Sequence, residues 1–189
     1  FLSDEEIKKL GEVLNERERN RMEQPESIYA AIRLLIFTGC RLGEILTLRW
    51  DDIDFEKSVI NLRDSKTGKG TVFLNESSLN VLRSIERQEN NPYVIYGKVE
   101  GKHLINLQKA WRRIRKQAGL SDVRIHDLRH TFASVGANAG VGQFMLAALL
   151  RHSQLETTGR YTHADKNPVL EQSNFISDRI ESLLAGVEP

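Results

Sequence analysis

The segment Ile125–Ser134 constrains the fold most, because it combines a core-facing pattern with charged side chains at helical spacing. Leu128 and Phe132, four residues apart, would lie on one face of a helix and pack in a core. His126 and Arg129, three apart, would share another face. Helix N-termini favour anions through their free N–H groups, and arginine adds a planar set of donors. The segment therefore predicts a site for an oxyanion.

Two other interpretations of this segment are open. His126 and His130 are four residues apart, as in the helix of zinc proteases, with Asp127 in place of the glutamate. Aspartate is one methylene shorter than the general base of that motif, and the charge of Arg129 would oppose a dication. We therefore expect no metal there. A His/Arg pair making ordinary surface contacts is the other interpretation.

Composition indicates one globular domain. The chain has 189 residues, of which 40% are hydrophobic and 28% charged. It has no apolar run of the roughly 20 residues that cross a bilayer, so we expect no membrane partner. Cys40 is the one cysteine, which excludes an internal disulfide and fits a reducing compartment such as the cytoplasm. Because the sequence starts at Phe1, we expect it to be part of a longer protein.

The net charge of +1 hides a basic segment in the second half of the chain. A local concentration of positive charge predicts a polyanion bound on one face, with a solvated helix face as the alternative. The basic side chains of this segment are Lys109, Arg112, Arg113, Arg115, Lys116 and Arg124.

Capping signals and apolar periodicity predict a mainly helical chain. Ser3 and Glu6 form a capping box that begins the first helix, and the second follows Pro25 and ends at Gly39. Further helices are predicted after Asn75 or Ser77, at 104–118, 127–139 and 143–150, and in an amphipathic last segment from Val169 to Leu184, which could pack on its own domain or on a neighbour.

A β-hairpin is predicted before the helix that follows Asn75 or Ser77. The runs 59–62 and 71–74 are its strands, and a glycine-containing turn joins them with Lys66 at its tip. That lysine is either a solvated turn residue or a mobile ammonium that reaches a substrate phosphate. Residues 94–96 predict another short strand.

Two further polar segments contain candidate site residues. Arg41 precedes a short helix, and Glu44, one turn further on, can orient its guanidinium through an i,i+3 ion pair. An ordinary surface pair is the alternative. His152 and Tyr161 lie nine residues apart near the apolar run that ends at Leu150; an isolated tyrosine is more often a core or rim residue.

These residues together resemble the catalytic domain of tyrosine recombinases, the phage integrase family. The segment 38–50 is similar to the first box of that family, and 126–134 is similar to the second. The resemblance extends over about residues 1–185. One departure is Arg151, because the family usually has glycine immediately before the histidine that aligns with His152. The residues that carry the resemblance, in chain order, are Arg41, Lys66, His126, Arg129, His152 and Tyr161.

The resemblance implies an α+β, mainly helical fold: a helical bundle with a small antiparallel hairpin or three-stranded sheet on one side. Residues 1–189 would form a single catalytic domain, without the amino-terminal helical domain of relatives. The partner would be double-stranded DNA, bound by a tetramer on paired sites, whereas the fragment alone would be a monomer.

The resemblance also implies the chemistry. Tyr161 would attack a DNA phosphodiester to give a 3′-phosphotyrosine, and Lys66 would protonate the leaving 5′ oxygen. Arg41 and Arg129 would bind the phosphate oxygens, with His126 and His152 supplying hydrogen bonds and proton transfer. No metal or other cofactor is implied. Glu44 and Asp127 would support the site, and Lys69 would join the basic segment in DNA binding.

Two alternatives to a recombinase are open. A type IB topoisomerase uses similar residues to relax supercoils without exchanging partners. A DNA-binding protein that has lost activity is the other, although no catalytic position is visibly substituted.

Overall fold

The computed structural model describes residues 1–23, 25–63, 70–151 and 168–187. These ranges contain eight α-helices and three strands, so the predicted mainly helical fold with a small antiparallel sheet is confirmed. No helix in these ranges is long and apolar enough to cross a membrane. The helices are α1 (Asp4–Arg19), α2 (Ser27–Thr38), α3 (Leu42–Leu46), α4 (Glu76–Ser84), α5 (Leu107–Gln117), α6 (Asp127–Asn138), α7 (Gln143–Leu149) and α8 (Pro168–Leu184).

Helix α2 is the centre of the core. It is apolar around almost its whole circumference, which is typical of a helix surrounded by others. Helices α4, α6 and α8 pack against it, while α1 packs on α8 and α5. Because α2 ends at Thr38, the loop that leads to Arg41 starts from a fixed point in the core.

The ends of the described chain pack together. The capping box predicted for α1 is present, because the Ser3 N–H donates to Glu6 and the Glu6 N–H to the Ser3 hydroxyl. Helix α8 packs on its own domain, which is one of the two arrangements left open by its spacing. The two helices approach closely at Gly11, where a Cβ would lie 2.0 Å from the Leu184 carbonyl oxygen.

The sheet contains the predicted hairpin and one further strand. Strands β1 (Ile53–Asp54), β2 (Val59–Leu62) and β3 (Gly70–Phe73) are antiparallel in the order β1-β2-β3. Ile60 pairs with Val72 in the middle of the hairpin. The predicted turn residues Lys66 and Lys69 lie outside the described residues.

The strand predicted at 94–96 is wrong. Val94 and Ile95 are buried, as their apolar character predicts, but their backbone bonds go to two different segments. The Val94 N–H donates to Leu48, whereas the Ile95 carbonyl accepts from Leu104. Because neither segment continues alongside, only isolated bridges form in this described region.

Candidate active site

The Arg129 side chain lies in the first turn of α6 and is 7% exposed. Its Nη1 donates to the carbonyl of Gly39, and its Nη2 donates to the carbonyl of Leu150 over 2.5 Å. Burial lowers the pKa of Arg129, and the charge of Arg41 lowers it further. Arginine remains protonated in proteins despite such shifts. The guanidinium is therefore a fixed positive charge between the ends of α2 and α7.

Gly39 provides the space that this arrangement needs. It ends α2 in the left-handed conformation, with φ of 62°, as the sequence predicts for a helix-terminating glycine. A Cβ here would lie 2.8 Å from Leu150 Cδ2 and 2.9 Å from Phe132 Cδ1. Both the backbone conformation and the packing therefore require glycine at this position.

Arg41 and Glu44 form the ion pair expected from their spacing. Arg41 Nη1 donates to Glu44 Oε1 over 3.2 Å, and the Arg41 backbone N–H donates to Oε2 over 2.8 Å. The Arg41 side chain is 33% exposed, whereas that of Glu44 is 8% exposed. The carboxylate thus holds the guanidinium from the protein side and leaves part of it accessible.

Arg151 is a third arginine here, and the sequence did not indicate it as a site residue. Its Nη2 donates to Glu44 Oε2 over 2.5 Å. Burial of Glu44 raises its pKa, but the charge of Arg151 and the hydrogen bonds from Arg151 and Arg41 outweigh burial, so the pKa lies below its usual value. Glu44 is therefore ionised at neutral pH. The sequence held one signal for the role of Arg151: it stands where the family usually has glycine.

Three arginines and one glutamate form what we call the arginine cluster: Arg41, Arg129, Arg151 and Glu44. Glu44 contacts both Arg41 and Arg151, and Arg129 bonds the carbonyls of Gly39 and of Leu150, the residue before Arg151, so the three side chains lie together. Three positive charges and one negative charge leave a net charge of +2. Such preorganised donors suit a phosphate-like oxyanion.

His126 and Asp127 lie at the start of α6. The His126 ring packs edge-on against that of His130, with centroids 5.2 Å apart. Desolvation of the ring lowers the pKa of His126, and the charges of His130 and Arg129 lower it further. The imidazole is therefore mostly neutral at pH 7. Asp127 pairs with Arg124 over 3.0 Å and accepts its backbone N–H, which closes the turn before α6.

Four predicted residues, Lys66, Lys69, His152 and Tyr161, lie outside the described residues, and their placement stays a prediction. The described residues of the predicted site divide into the arginine cluster and the start of α6. Within the described ranges, no three histidine, cysteine, aspartate or glutamate side chains converge to hold a metal ion.

The basic segment divides into two groups. Three of its side chains bond residues outside α5: Arg113 bonds buried Glu23, Arg115 the carbonyl of Val123, and Arg124 bonds Asp127. Arg112 donates within α5, to the carbonyl of Gln108 over 3.4 Å. The side chains exposed along α5 without an acidic partner in the described structure are Lys109, Arg112 and Lys116.

Glu23 is a structural residue that the sequence did not reveal. It is 1% exposed and pairs with both Arg17 and Arg113. Its backbone N–H donates to the Tyr29 hydroxyl, which donates in turn to the carbonyl of Arg17. This network fixes the segment between α1 and α2.

The fold is that of the tyrosine recombinases. The crystal structure of the XerA recombinase superposes with a TM-score of 0.66 at 27% identity, covering 91% of this chain and 63% of that one. The Tn1549 transposon integrase, solved with circular intermediate DNA, gives 0.57 at 25% identity, covering 90% and 61%.

The sequence identifies the family. Residues 1–168 match the model of the phage integrase family, and the chain belongs to that family. The tyrosine recombinase XerA of Saccharolobus solfataricus is 31% identical over 160 residues, which cover 84% of this chain and 53% of that protein. This chain thus spans between about half and two thirds of the length of these relatives.

Proposed function

We propose that this chain is the catalytic domain of a site-specific DNA recombinase, an integrase that cleaves and rejoins DNA through a 3′-phosphotyrosine intermediate. The observation that supports this most is the arginine cluster, in which Arg41 and Arg129 converge from distant parts of the sequence. Membership of the phage integrase family supports the same function.

Arg41 and Arg129 bind the non-bridging oxygens of the phosphodiester. Because Arg129 is fixed by two carbonyls and Arg41 by Glu44, little reorganisation is needed as negative charge develops on the phosphate. Each such donor typically lowers the barrier by about 3 kcal/mol.

Tyr161 is the nucleophile in this proposal. A phenol with a pKa near 10 is mostly protonated at neutral pH, so positively charged side chains nearby are needed to favour loss of its proton. Its oxygen attacks phosphorus as the bond to the 5′ oxygen breaks, and Lys66 protonates that leaving oxygen. His126 and His152 assist proton transfer. Attack by a 5′ hydroxyl on the phosphotyrosine rejoins the strand.

Double-stranded DNA is the proposed partner. A tetramer of the protein would hold two paired DNA sites, in the cytoplasm, on a bacterial or phage genome. The exposed Lys109, Arg112 and Lys116 of α5 support contact with DNA phosphates. Lys69, Arg113, Arg115 and Arg124 are secondary candidates for contact with DNA phosphates. The Tn1549 integrase is a relative that was solved with DNA.

A nicked suicide substrate tests the proposal. Cleavage beside the nick releases a short strand and traps the covalent protein–DNA adduct, which denaturing gels detect and peptide mass spectrometry maps. We expect Tyr161→Phe to abolish the adduct while retaining DNA affinity, and Tyr96→Phe, a half-buried tyrosine of the described structure, to form it normally. An adduct with Tyr161→Phe would overturn the assignment of the nucleophile.

A further inference from the structure

Arg151 combines an unfavourable backbone conformation with a buried, charged side chain. Its φ of 52° lies in the left-handed region, which side-chain-bearing residues seldom adopt. We propose that Arg151 is a positioning residue, which balances the charge of Glu44 so that Arg41 and Arg129 act on the phosphate. The inference rests on the proposed function.

Glu44 bonds more closely to Arg151 than to the side chain of Arg41. Its Oε2 lies 2.5 Å from Arg151 Nη2, whereas its Oε1 lies 3.2 Å from Arg41 Nη1. The side chains of Glu44 and Arg151 are 8% and 11% exposed, so solvent screens this pair weakly. Arg151 therefore takes the larger share of the carboxylate charge.

The charge that a phosphate would meet depends on Arg151. Without Arg151, two arginines and one glutamate would give a net charge of +1, and with Arg151 the cluster carries +2. An unbalanced buried carboxylate would repel the negative charge that develops on the phosphate. Arg151 reduces that repulsion through its own bond to Glu44 Oε2.

The surroundings of Arg151 fix its side chain. Its Cδ lies 3.7 Å from the position of a Cβ at Gly70, so its stem runs beside the start of β3. Its buried Nε has no hydrogen-bond partner in the described part of the chain. The bond from Nη2 to Glu44 orients the guanidinium.

A double-mutant cycle tests the link between Arg151 and Glu44. In single-turnover cleavage at saturating DNA, we expect Arg151→Gln to slow adduct formation about tenfold, less than the loss of a direct phosphate ligand. In the Glu44→Gln background, where no carboxylate needs balancing, the same substitution should slow adduct formation much less. Arg151→Lys, which keeps the charge, should recover most of the rate. Equal losses in both backgrounds, or a lysine variant as slow as the glutamine variant, would overturn the inference.

Binding of inorganic phosphate gives a measurement independent of cleavage. Phosphate that binds the folded cluster raises the melting temperature with concentration. We expect a smaller rise for Arg151→Gln than for the wild type, a smaller difference between the two in the Glu44→Gln background, and a normal rise for the control Arg19→Gln, at an exposed position on α1. Equal rises for the wild type and Arg151→Gln would overturn the inference. A wild-type chain that forms no adduct would instead contradict the proposed function, and the phosphate response would still decide the role of Arg151.

Discussion

The guanidinium of Arg129 hydrogen-bonds the carbonyl of Gly39, a residue ninety positions earlier in the chain. A second bond from the same guanidinium reaches Leu150. One side chain therefore ties the loop before Arg41 to the end of α7, so the proposed phosphate site and the local packing depend on each other.

Replacing Arg129 tests this dual role. We expect Arg129→Ala to reduce the rate of covalent cleavage about a hundredfold or more, because a preorganised donor to the phosphate is removed. Arg129→Lys should recover little, since one ammonium lacks the planar fork that bonds Gly39 and Leu150. The measurement is single-turnover cleavage of a nicked substrate, with Arg19→Ala, at an exposed position on α1, as the control. Cleavage at the wild-type rate by Arg129→Ala would remove this residue from the site.

Two glycines beside the site should respond to alanine in opposite directions. Gly39→Ala should lower the free energy of unfolding by about 1–3 kcal/mol, because its φ is positive and the new Cβ would contact Leu150 and Phe132. Gly43→Ala should raise it by about 0.5–1 kcal/mol, because this exposed helical position has nothing within 4 Å of a Cβ. Urea denaturation measures both values. A stable Gly39→Ala protein would contradict the assigned packing.

The network at Glu23 should contribute strongly to stability. Glu23→Gln removes the charge that pairs with Arg17 and Arg113, and we expect a loss of about 3 kcal/mol in the free energy of unfolding at pH 7. Glu12→Gln, at an exposed position on α1, should change it little. Equal stabilities for the two variants would show that the buried network contributes nothing.

The pH dependence of stability gives a second test of this network. Burial of Glu23 raises its pKa, but the hydrogen bonds and charges of Arg113 and Arg17 outweigh burial and bring the pKa below 4.5. As pH falls, the unfolded chain therefore binds the proton first. The contribution of Glu23 to stability is complete above pH 4.5 and is lost as the pH falls through the lower pKa of the folded state. The stability difference between the wild type and Glu23→Gln should shrink below pH 4.5. A difference that grows with acid would contradict this sign.

The basic side chains of α5 should differ in their effect on DNA binding. Replacing exposed Arg112 or Lys116 by alanine should weaken binding and reduce the slope of log affinity against log salt by about 0.9 for each phosphate that the side chain neutralises. Arg115→Ala should change the slope less, because its guanidinium donates to the carbonyl of Val123 over 2.7 Å. Fluorescence anisotropy over a range of salt concentrations measures the slopes. Unchanged slopes for Arg112→Ala and Lys116→Ala would identify this face as merely solvated.

The contact between His126 and His130 should be visible in titration. The pKa of His126 is lowered by desolvation of its ring and by the charge of His130. His130→Ala removes both the packing ring and that charge, so the pKa of His126 should rise toward 6.5. Histidine side-chain NMR over pH 4–9, a range set by the ordinary histidine pKa of about 6.5, measures this shift, with His103→Ala as the control. A fall in the pKa of His126 after His130→Ala would contradict the assigned cause.

Local rules predicted much of the fold. The capping box at Ser3, the end of α2 at Gly39 and the β2–β3 pairing each depend on neighbouring residues or short periods. The strand at 94–96 was predicted wrongly because its apolar residues bond to two different segments, at Leu48 and at Leu104, instead of pairing along one strand. Periodicity indicates which residues share a face of an element, but it does not indicate which other segments pack against or hydrogen-bond to that element.

The site shows the same boundary between local and distant information. The Arg41–Glu44 pair could be expected from a spacing of three residues. The bond from Arg151 to the same carboxylate joins residues 107 positions apart, and local spacing could not predict it. Likewise, the basic pattern of α5 did not indicate that Arg113 is bound by Glu23, ninety positions away.

The docking of α8 on its own domain has a consequence for biosynthesis. Its buried side chains, including Ile176, Ile180 and Leu184, complete a core to which α1 and α2 also contribute. The ribosome releases those earlier helices long before it adds Leu184, and loop closure over such a separation is slow. The nascent chain must therefore keep an open apolar groove until translation passes α8.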